Sequence, residues 1–506
     1  MTSATPSSNL SANDNIVSVD VGTSSVRALL FDCRFRHHER LGLQNKYDIT
    51  TTADGGVEID PDLLLKLTAN CLDELHGQMA QEGLRASAVA MSTFWHSFLG
   101  VDANGKPSTP IIHLFDTRSA PQVGQLRKRF DAAQVRQRTG CVLHTSYWPA
   151  KLLWLKQTNP MAFSRTARWI SFGEYFLANL HGKGAESTSM VSASGLWKQR
   201  ENAYDEELIE FIGIKEDQLA PVDTLDQPAR SLKQGFASRW PLFDGIPWCP
   251  AYGDGACNNV GSGSTTRDRL ALMVGTSGAM RVVIRGASIQ IPSGLWCYRV
   301  NRERYILGGA LSNGGEVFRW VSKTFNLPGN AESQIQKRQP GSHGLTMLPF
   351  LAGERSPYWR PDLRAVLAGM SLSTTPTDIL QAALEGVSLR FKQIYSLFLE
   401  AYPAPAQVIA SGGGLLASKA WRQMMADALG RSIVECLEPE ASSRGAALIA
   451  AEQLGMIKSL DDVEVALGPI IAADPQNAKL YDQMLARDMN LFAQLFAEQV
   501  DPHGEA

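Results

Sequence analysis

The stretch IVSVDVGTSSVRALLFD, residues 16–32, decides how this chain is read. Ile16, Val17, Val19 and Val21 form one β-rich run and Val26 to Phe31 a second. Gly22, Thr23, Ser24 and Ser25 join them, which is the pattern of a hairpin. The turn is small and rich in hydroxyls, so its backbone N–H groups and Ser or Thr oxygens can face an anion, as phosphate-cradling nests do. Asp20 stands at the mouth of the turn. A carboxylate beside a phosphate is repelled unless a divalent cation stands between them. The stretch therefore reads either as an ordinary hairpin with a polar turn or as one edge of a phosphate site.

Working outward, the same pattern returns at residues 270–284. Leu270 to Val274 run into Gly275, Thr276, Ser277 and Gly278, and Ala279 to Ile284 run out. Between the two hairpins, Asp60 and Pro61 open a helix with Leu63, Leu64, Leu67, Cys71, Leu72 and Leu75 at helical spacing. A β-like run from Ala88 to Met91 leads into Ser92, Thr93, Phe94, Trp95, His96 and Ser97. Phe98 to Val101 and Ile111 to Phe115 flank the turn Asp102–Gly105 as a further hairpin, and helical patterns take over from about residue 121 to 219. Beyond the second hairpin, the strand Val408–Ser411 enters Gly412, Gly413 and Gly414, and the helix after them ends at Gly430. Two halves, each led by a Gly-Thr-Ser hairpin, predict a duplicated architecture with the ligand between them.

A chain of 506 residues exceeds one core and predicts two large domains, or three. With 44% hydrophobic and 20% charged residues it has a globular composition, and a net charge of −3 without a long basic block gives no reason to invoke nucleic acid. The seven cysteines are scattered and never spaced as CxxC, against a disulfide framework or a zinc knuckle; reduced thiols and a cytoplasmic location are expected. Residues 1–15 lack a basic start and an apolar core and read as a disordered tail. No apolar run is long enough to cross a bilayer, so no membrane partner is expected. Gly100 to Lys106 imitates a P-loop, but Pro107 stands where a magnesium-binding Ser or Thr is needed.

The segment AYGDGACNN, residues 251–259, carries the most chemistry. Asp254 lies between Gly253 and Gly255, whose missing side chains leave the carboxylate approachable. It reads as a cap on a helix starting near Ala256, or as a base that takes a proton from an attacking hydroxyl. Gly413 and Gly414 read as a turn that admits a base or an α-phosphate, or as one that permits close packing. His96, between Trp95 and Ser97, is a structural histidine or part of a polyol site, since imidazole, indole and hydroxyl together suit hydroxyls and C–H faces. Ser146, Tyr147 and Trp148 are similarly open, as is the pair Asp116 and Arg118, while Lys151 and Trp154 read as structural.

Taken together, VDVGTSSVRALLFD, YGDGACNNVGSG, LMVGTSGAM, GERSPYWRPDLRAVLAGMSL, LQAALEGVSLRF and ASGGGLLASKAWRQMMADALG, in this order, resemble the FGGY carbohydrate kinases from about Ile16 to Leu454. The resemblance implies an α/β fold of two duplicated RNase H-like domains, the ATPase fold of actin, hexokinase and the heat-shock chaperones, with an interdomain cleft. It implies a sugar-binding domain over 16–262, a nucleotide-binding domain over 263–480, and a helix and tail over 481–506. ATP and Mg2+ are the implied cofactors: Asp20 on the metal, Gly22, Thr23 and Ser24 facing phosphates, Gly275 and Thr276 facing the transferred group, and Gly413 and Gly414 bordering the adenosine. Asp254 is the implied catalytic base and also touches substrate, with Trp95, His96, Ser97 and Ser146. The loop Glu354–Trp359 lies near the cleft, with no role assigned.

The implied acceptor is a small sugar, sugar acid or polyol, and the implied assembly a possible homodimer. Gluconate is favoured, because gluconokinase-like members carry Met-His-Ser at residues 95–97 and a Tyr-Trp-Pro-Ala-Lys stretch like Tyr147 to Lys151. Xylulose and other pentulose or polyol kinases are the alternative, together with a sugar-binding regulator that has lost catalysis. Two departures bear on this choice. Trp95 replaces the methionine, and Ser189 replaces the acid of the family's Thr-Asp-x-Ser-x-Ala-Ser stretch.

Overall fold

In the computed structural model, residue 11 and residues 14–496 are described. The expected disordered tail therefore lies, apart from Ser11, Asp14 and Asn15, outside the described residues. The opening stretch folds as a hairpin of strands β1 (Ile16–Val21) and β2 (Ser25–Phe31), with Val21 opposite Val26 and Ile16 opposite Phe31. Strands β3 (His37–Lys46), β4 (Ala88–Thr93) and β5 (Tyr252–Gly253) complete a sheet of order β5-β4-β1-β2-β3. β1 to β3 are antiparallel neighbours, and β4 and β5 run parallel to β1. Helix α1 (Pro61–Gln81) packs on this sheet. Asp60 caps it by accepting from the amides of Asp62 (2.9 Å) and Leu63 (3.1 Å). Leu64, Cys71, Leu72 and Leu75 are buried as their spacing predicts, whereas Leu63 falls outside the apolar stripe and is exposed.

The second half repeats the plan. Strands β6 (Arg269–Val274), β7 (Gly278–Arg285), β8 (Trp296–Arg299), β9 (Arg304–Leu311), β10 (Gln407–Ser411), β11 (Ile433–Cys436) and β12 (Leu467–Ile471) lie in the order β8-β9-β7-β6-β10-β11-β12. Its central five, β9-β7-β6-β10-β11, match β3-β2-β1-β4-β5 in direction: three antiparallel, then two parallel. The duplicated α/β fold expected from the two hairpins is thus present, with an extra strand on each edge of the second sheet. The expected hairpin around Asp102–Gly105 is present only as isolated bridges, Phe98 with Ile112 and Val101 with Pro107. Leu99–Val101 and Ile111–Ile112 pair instead with Arg168–Ile170 and Val57–Ile59, because both runs are buried and find longer ladders elsewhere. The last helix runs Pro475–Phe496 and so begins ahead of the boundary expected at 481.

The halves meet where helix α2 (Asp254–Gly261), which follows β5, crosses α4 (Ala441–Gln453); α3 (Pro376–Ala401) lies in the core of the second half. Small residues set the crossing. A Cβ at Gly261 would collide with the carbonyl of Ala441, and one at Gly445 with the carbonyl of Cys257. Arg444 locks it, donating from Nη1 to Gly261 O (2.7 Å), from Nε to Phe35 O (3.2 Å) and from Nη2 to Glu464 O (2.6 Å). Replacing Gly445 by alanine forces two backbones apart in a close-packed interior. G445A is expected to lose about 3 kcal/mol or more of unfolding free energy, read from the urea midpoint.

Candidate active site

Both hairpin turns are held by hydrogen bonds to their own backbone. Gly22 N donates to Ser25 O (2.9 Å), Tyr47 Oη to Gly22 O (2.5 Å) and Tyr47 N to Ser24 O (3.1 Å). In the second turn Gly275 N donates to Ser277 O (2.9 Å). The helix Gly315–Thr324 begins on that turn: Gly315 N bonds Gly275 O (2.8 Å), and Gly314 N and Glu316 N bond Thr276 O (3.2 and 3.1 Å). A Cβ at Gly315 would lie 2.6 Å from Gly275 O and one at Gly414 3.0 Å from the same oxygen, so these glycines exist partly for close packing. Gly413 differs: a Cβ there would meet open space.

Between the hairpins lies a cavity of about 150 Å³. It is smaller than the about 300–1,000 Å³ of sites for drug-sized ligands, and suits a small metabolite. Thr23 borders it from the first hairpin and Ser277 and Gly278 from the second; Trp95, His96, Ser146 and Asp254 line it from the first half. Five of the residues expected from the sequence are therefore brought together: Thr23, Trp95, His96, Ser146 and Asp254. Gly22, Ser24, Gly275, Thr276, Gly413 and Gly414 are not among the residues lining this cavity. Neither is Ser97, which is buried with its Oγ 3.4 Å from Trp95 O; the chain leaves the strand at Thr93 and turns at His96, where Ser97 N donates back to Trp95 O (2.8 Å).

Asp254 is the first residue of α2, and the N-cap position falls to Gly253. Its Oδ1 accepts from the adjacent Gly255 N (2.8 Å), a backbone hydrogen bond from Trp95 also steadies the carboxylate, and the group borders the cavity. Burial raises its pKa above the ordinary carboxylate value, and the guanidinium of Arg281 opposes that rise. Asp20 is pushed up to about 6, first by burial, against the attraction of Arg27, whose Nε lies 3.6 Å away, and with added repulsion from Asp254. Asp20, like the turn residues above, is not among the residues lining the cavity.

His96 has a φ of +66°, a left-handed backbone that costs of order 1–3 kcal/mol for a residue with a Cβ. Its Nδ1 lies 2.7 Å from Ala193 O, an atom that only accepts, so Nδ1 carries the proton and Nε2 is left as an acceptor. Burial lowers its pKa to about 3, keeping the ring neutral. Trp95 Nε1 donates to Ser189 O (3.0 Å), and Ser189 Oγ accepts from Gly253 N (3.2 Å). The indole lies on the backbone of residues 253–255, where a Cβ at Gly253 or Gly255 would strike its ring. The two departures from the family pattern, Trp95 and Ser189, are thus in direct contact.

Sequence reasoning missed Arg281, Trp296 and Tyr298, and placed Arg355 and Trp359 near the cleft only within the loop Glu354–Trp359, without a role. Trp296 and Tyr298, stacked at 4.2 Å, line the cavity with Arg281, Arg355 and Trp359. Tyr298 Oη lies 2.6 Å from Tyr147 Oη, joining the two halves. Arg281 was legible in principle, since a charge inside the apolar run of β7 is unusual for a buried strand. Lys151 is buried and spends its Nζ on His113 O (2.6 Å) and Ser146 O (3.2 Å), which holds the Ser146 segment in place. Arg118 pairs with Asp116 (2.6 Å) and stacks on Trp154, away from the cavity lining.

Models of the FGGY family of carbohydrate kinases match this chain over residues 15–261, for the N-terminal domain, and 270–454, for the C-terminal domain. The chain belongs to the FGGY family of carbohydrate kinases. It is an ATP-dependent sugar kinase. Among relatives, the gluconokinase of Bacillus subtilis is 27% identical, covering 94% of this chain and 95% of its own length. The xylulose kinase of Streptomyces rubiginosus is also 27% identical, over 93% of this chain and 95% of its own. The solved gluconate kinase of Lactobacillus acidophilus superposes with a TM-score of 0.88 at 25% identity, covering 95% of this chain and 98% of that one. Among the described residues no helix is long and apolar enough to cross a membrane.

The raised pKa of Asp20 has a stability consequence of definite sign. Because its folded value, about 6, lies above the 3.8 of the free group, the ionised carboxylate costs stability fully above pH 6, and the cost fades as pH falls toward 3.8. D20N is therefore expected to raise the ligand-free unfolding free energy by about 3 kcal/mol at pH 8 and by little at pH 4, measured by urea titration at both values.

Proposed function

We propose that this FGGY kinase transfers the γ-phosphoryl group of ATP to a hydroxyl of gluconate, with Asp254 as the general base. The observation that carries the reading is Asp254 itself: a half-buried carboxylate at the wall of a cavity bordered by both hairpins. Gluconate is supported by the gluconokinase relatives and by the His96-Ser97 and Tyr147–Lys151 stretches.

Phosphoryl transfer needs positioning and charge neutralisation more than covalent chemistry. Asp254 accepts the proton of the attacking hydroxyl. His96 Nε2 accepts a hydrogen bond from a second hydroxyl, and the rings of Trp95, Trp296 and Tyr298 cover C–H faces and keep water out. Among the described residues no group of three or more His, Cys, Asp or Glu could hold a metal. Asp20 is the residue that would hold Mg2+, which would supply neutralisation of phosphate charge. Asp20, raised by burial and by Asp254, is the group whose surroundings favour such a cation.

D254N is expected to lower turnover by about 10²–10⁴-fold with little change in ATP affinity, and near-normal turnover would remove Asp254 from the role. In the native enzyme the turnover should rise with pH as the Asp254 carboxyl loses its proton. Coupled ADP release over gluconate, xylulose, ribulose and glycerol tests the acceptor: preference for a neutral polyol or pentulose would overturn gluconate.

A further inference from the structure

The cavity carries more positive charge than its walls compensate. Arg281 is 8% exposed, and its Nε and Nη1 are buried with no hydrogen-bond partner. Arg355 donates from Nη2 to Leu311 O (2.9 Å), but its Nε is likewise buried and unpartnered. Both guanidiniums border the same space, and Asp254 is the one acid among the residues lining it. Glu354, next to Arg355, does not balance the account: its Oε2 has no partner, and burial pushes its carboxyl up to about 8, so it is mostly neutral near pH 7. Arg281 remains a cation even though burial lowers its pKa to about 10. Two desolvated guanidiniums facing one carboxylate leave a net positive charge, and a buried unpaired charge persists only where something of opposite sign arrives to meet it.

We propose that Arg281 and Arg355 bind a carboxylate of the acceptor, which makes them the residues that select a sugar acid over a neutral sugar. The inference rests on the gluconate reading above and adds the groups that recognise its charge. A guanidinium fork suits a carboxylate because its donors are planar and fixed, and charge-assisted bonds in a dry site are stronger than neutral ones. The same donors would also suit the transferred phosphoryl group, so the test must separate the two anions. Arg281 reaches the cavity from β7 and Arg355 from the loop Glu354–Trp359, so the acid end of the ligand is gripped by the nucleotide-side half of the protein.

Binding without nucleotide distinguishes the sources. The fluorescence of Trp95, Trp296 and Trp359 at the cavity provides the signal for titrating the full-length protein with gluconate and with gluconamide, its neutral analogue. The native protein is expected to bind gluconate about 100-fold more tightly than gluconamide. R281M and R355M should each weaken gluconate binding by about 30-fold or more, leave gluconamide within about threefold, and keep native ATP affinity; R355K should recover part of the loss. Equal binding of the acid and the amide by the native protein, a comparison that needs no variant, overturns the proposal. So do variants that keep gluconate affinity and lose only turnover or ATP affinity, which would assign the guanidiniums to the phosphoryl group. Tight gluconate binding without gluconate-stimulated ADP release would sink the kinase substrate reading and leave the carboxylate site standing.

Discussion

The structure depends on the crossing of α2 and α4. Gly261 and Gly445 let the two backbones touch, and Arg444 pins the end of α2 to the carbonyls of Gly261, Phe35 and Glu464. An eight-residue helix is about 12 Å long and nearly rigid. Its first residue is Asp254, so fixing the C-terminal end against the second half fixes the carboxylate at the other end. The same helix start places partial positive charge near Asp254, which favours the ionised form against the desolvation that opposes it. Further bonds join the halves: Tyr147 to Tyr298 at the cavity wall, and away from it Arg299 N to Ser192 Oγ (2.9 Å) and Arg136 to the carbonyls of Ile291 and Pro292.

The cavity is expensive in free energy. His96 and His144 are kept neutral, each with a pKa lowered to about 3 chiefly by burial, while Asp20 and Asp254 are raised and Arg281 is lowered for the same reason. His96 and Trp359, with φ of +66° and +53°, add backbone strain at the same wall. Concentrating such costs in one place is what a binding site does when the ligand supplies the missing partners. The rest of the molecule offsets them through its apolar clusters, including one under each sheet and one that spans both halves.

Much of this was legible because local pattern and global fold agree. The hairpins at residues 16–31 and 270–284 follow from β-rich apolar runs on either side of a Gly-Thr-Ser turn, and the start of α1 follows from Asp60 and Pro61. Asp254 was legible through its flanking glycines, although the reason for them was not: they make room for an indole that arrives from β4. Ser97 was misplaced because adjacency to His96 in sequence says nothing about which face a side chain takes. The wall built by Arg281, Trp296, Tyr298 and Arg355 was hidden for a different reason. Its members come from three separate segments of the second half, and only the fold brings them opposite His96. Gly413 and Gly414 kept both of their readings, one packed and one open.

The contact among Trp95, Ser189, Gly253 and Gly255 has an evolutionary consequence. A thioether in place of the indole would leave a void over two glycines and remove one of the two donors to the Ser189 carbonyl, Ser192 Oγ being the other, while a side chain at residue 253 or 255 would collide with the indole. Trp95 and Ser189 are therefore coupled by this packing, and residues 253 and 255 must stay glycine for as long as the indole is there. A lineage carrying this set is therefore held to one pocket shape by its own packing, and new acceptors must be reached through the opposite wall.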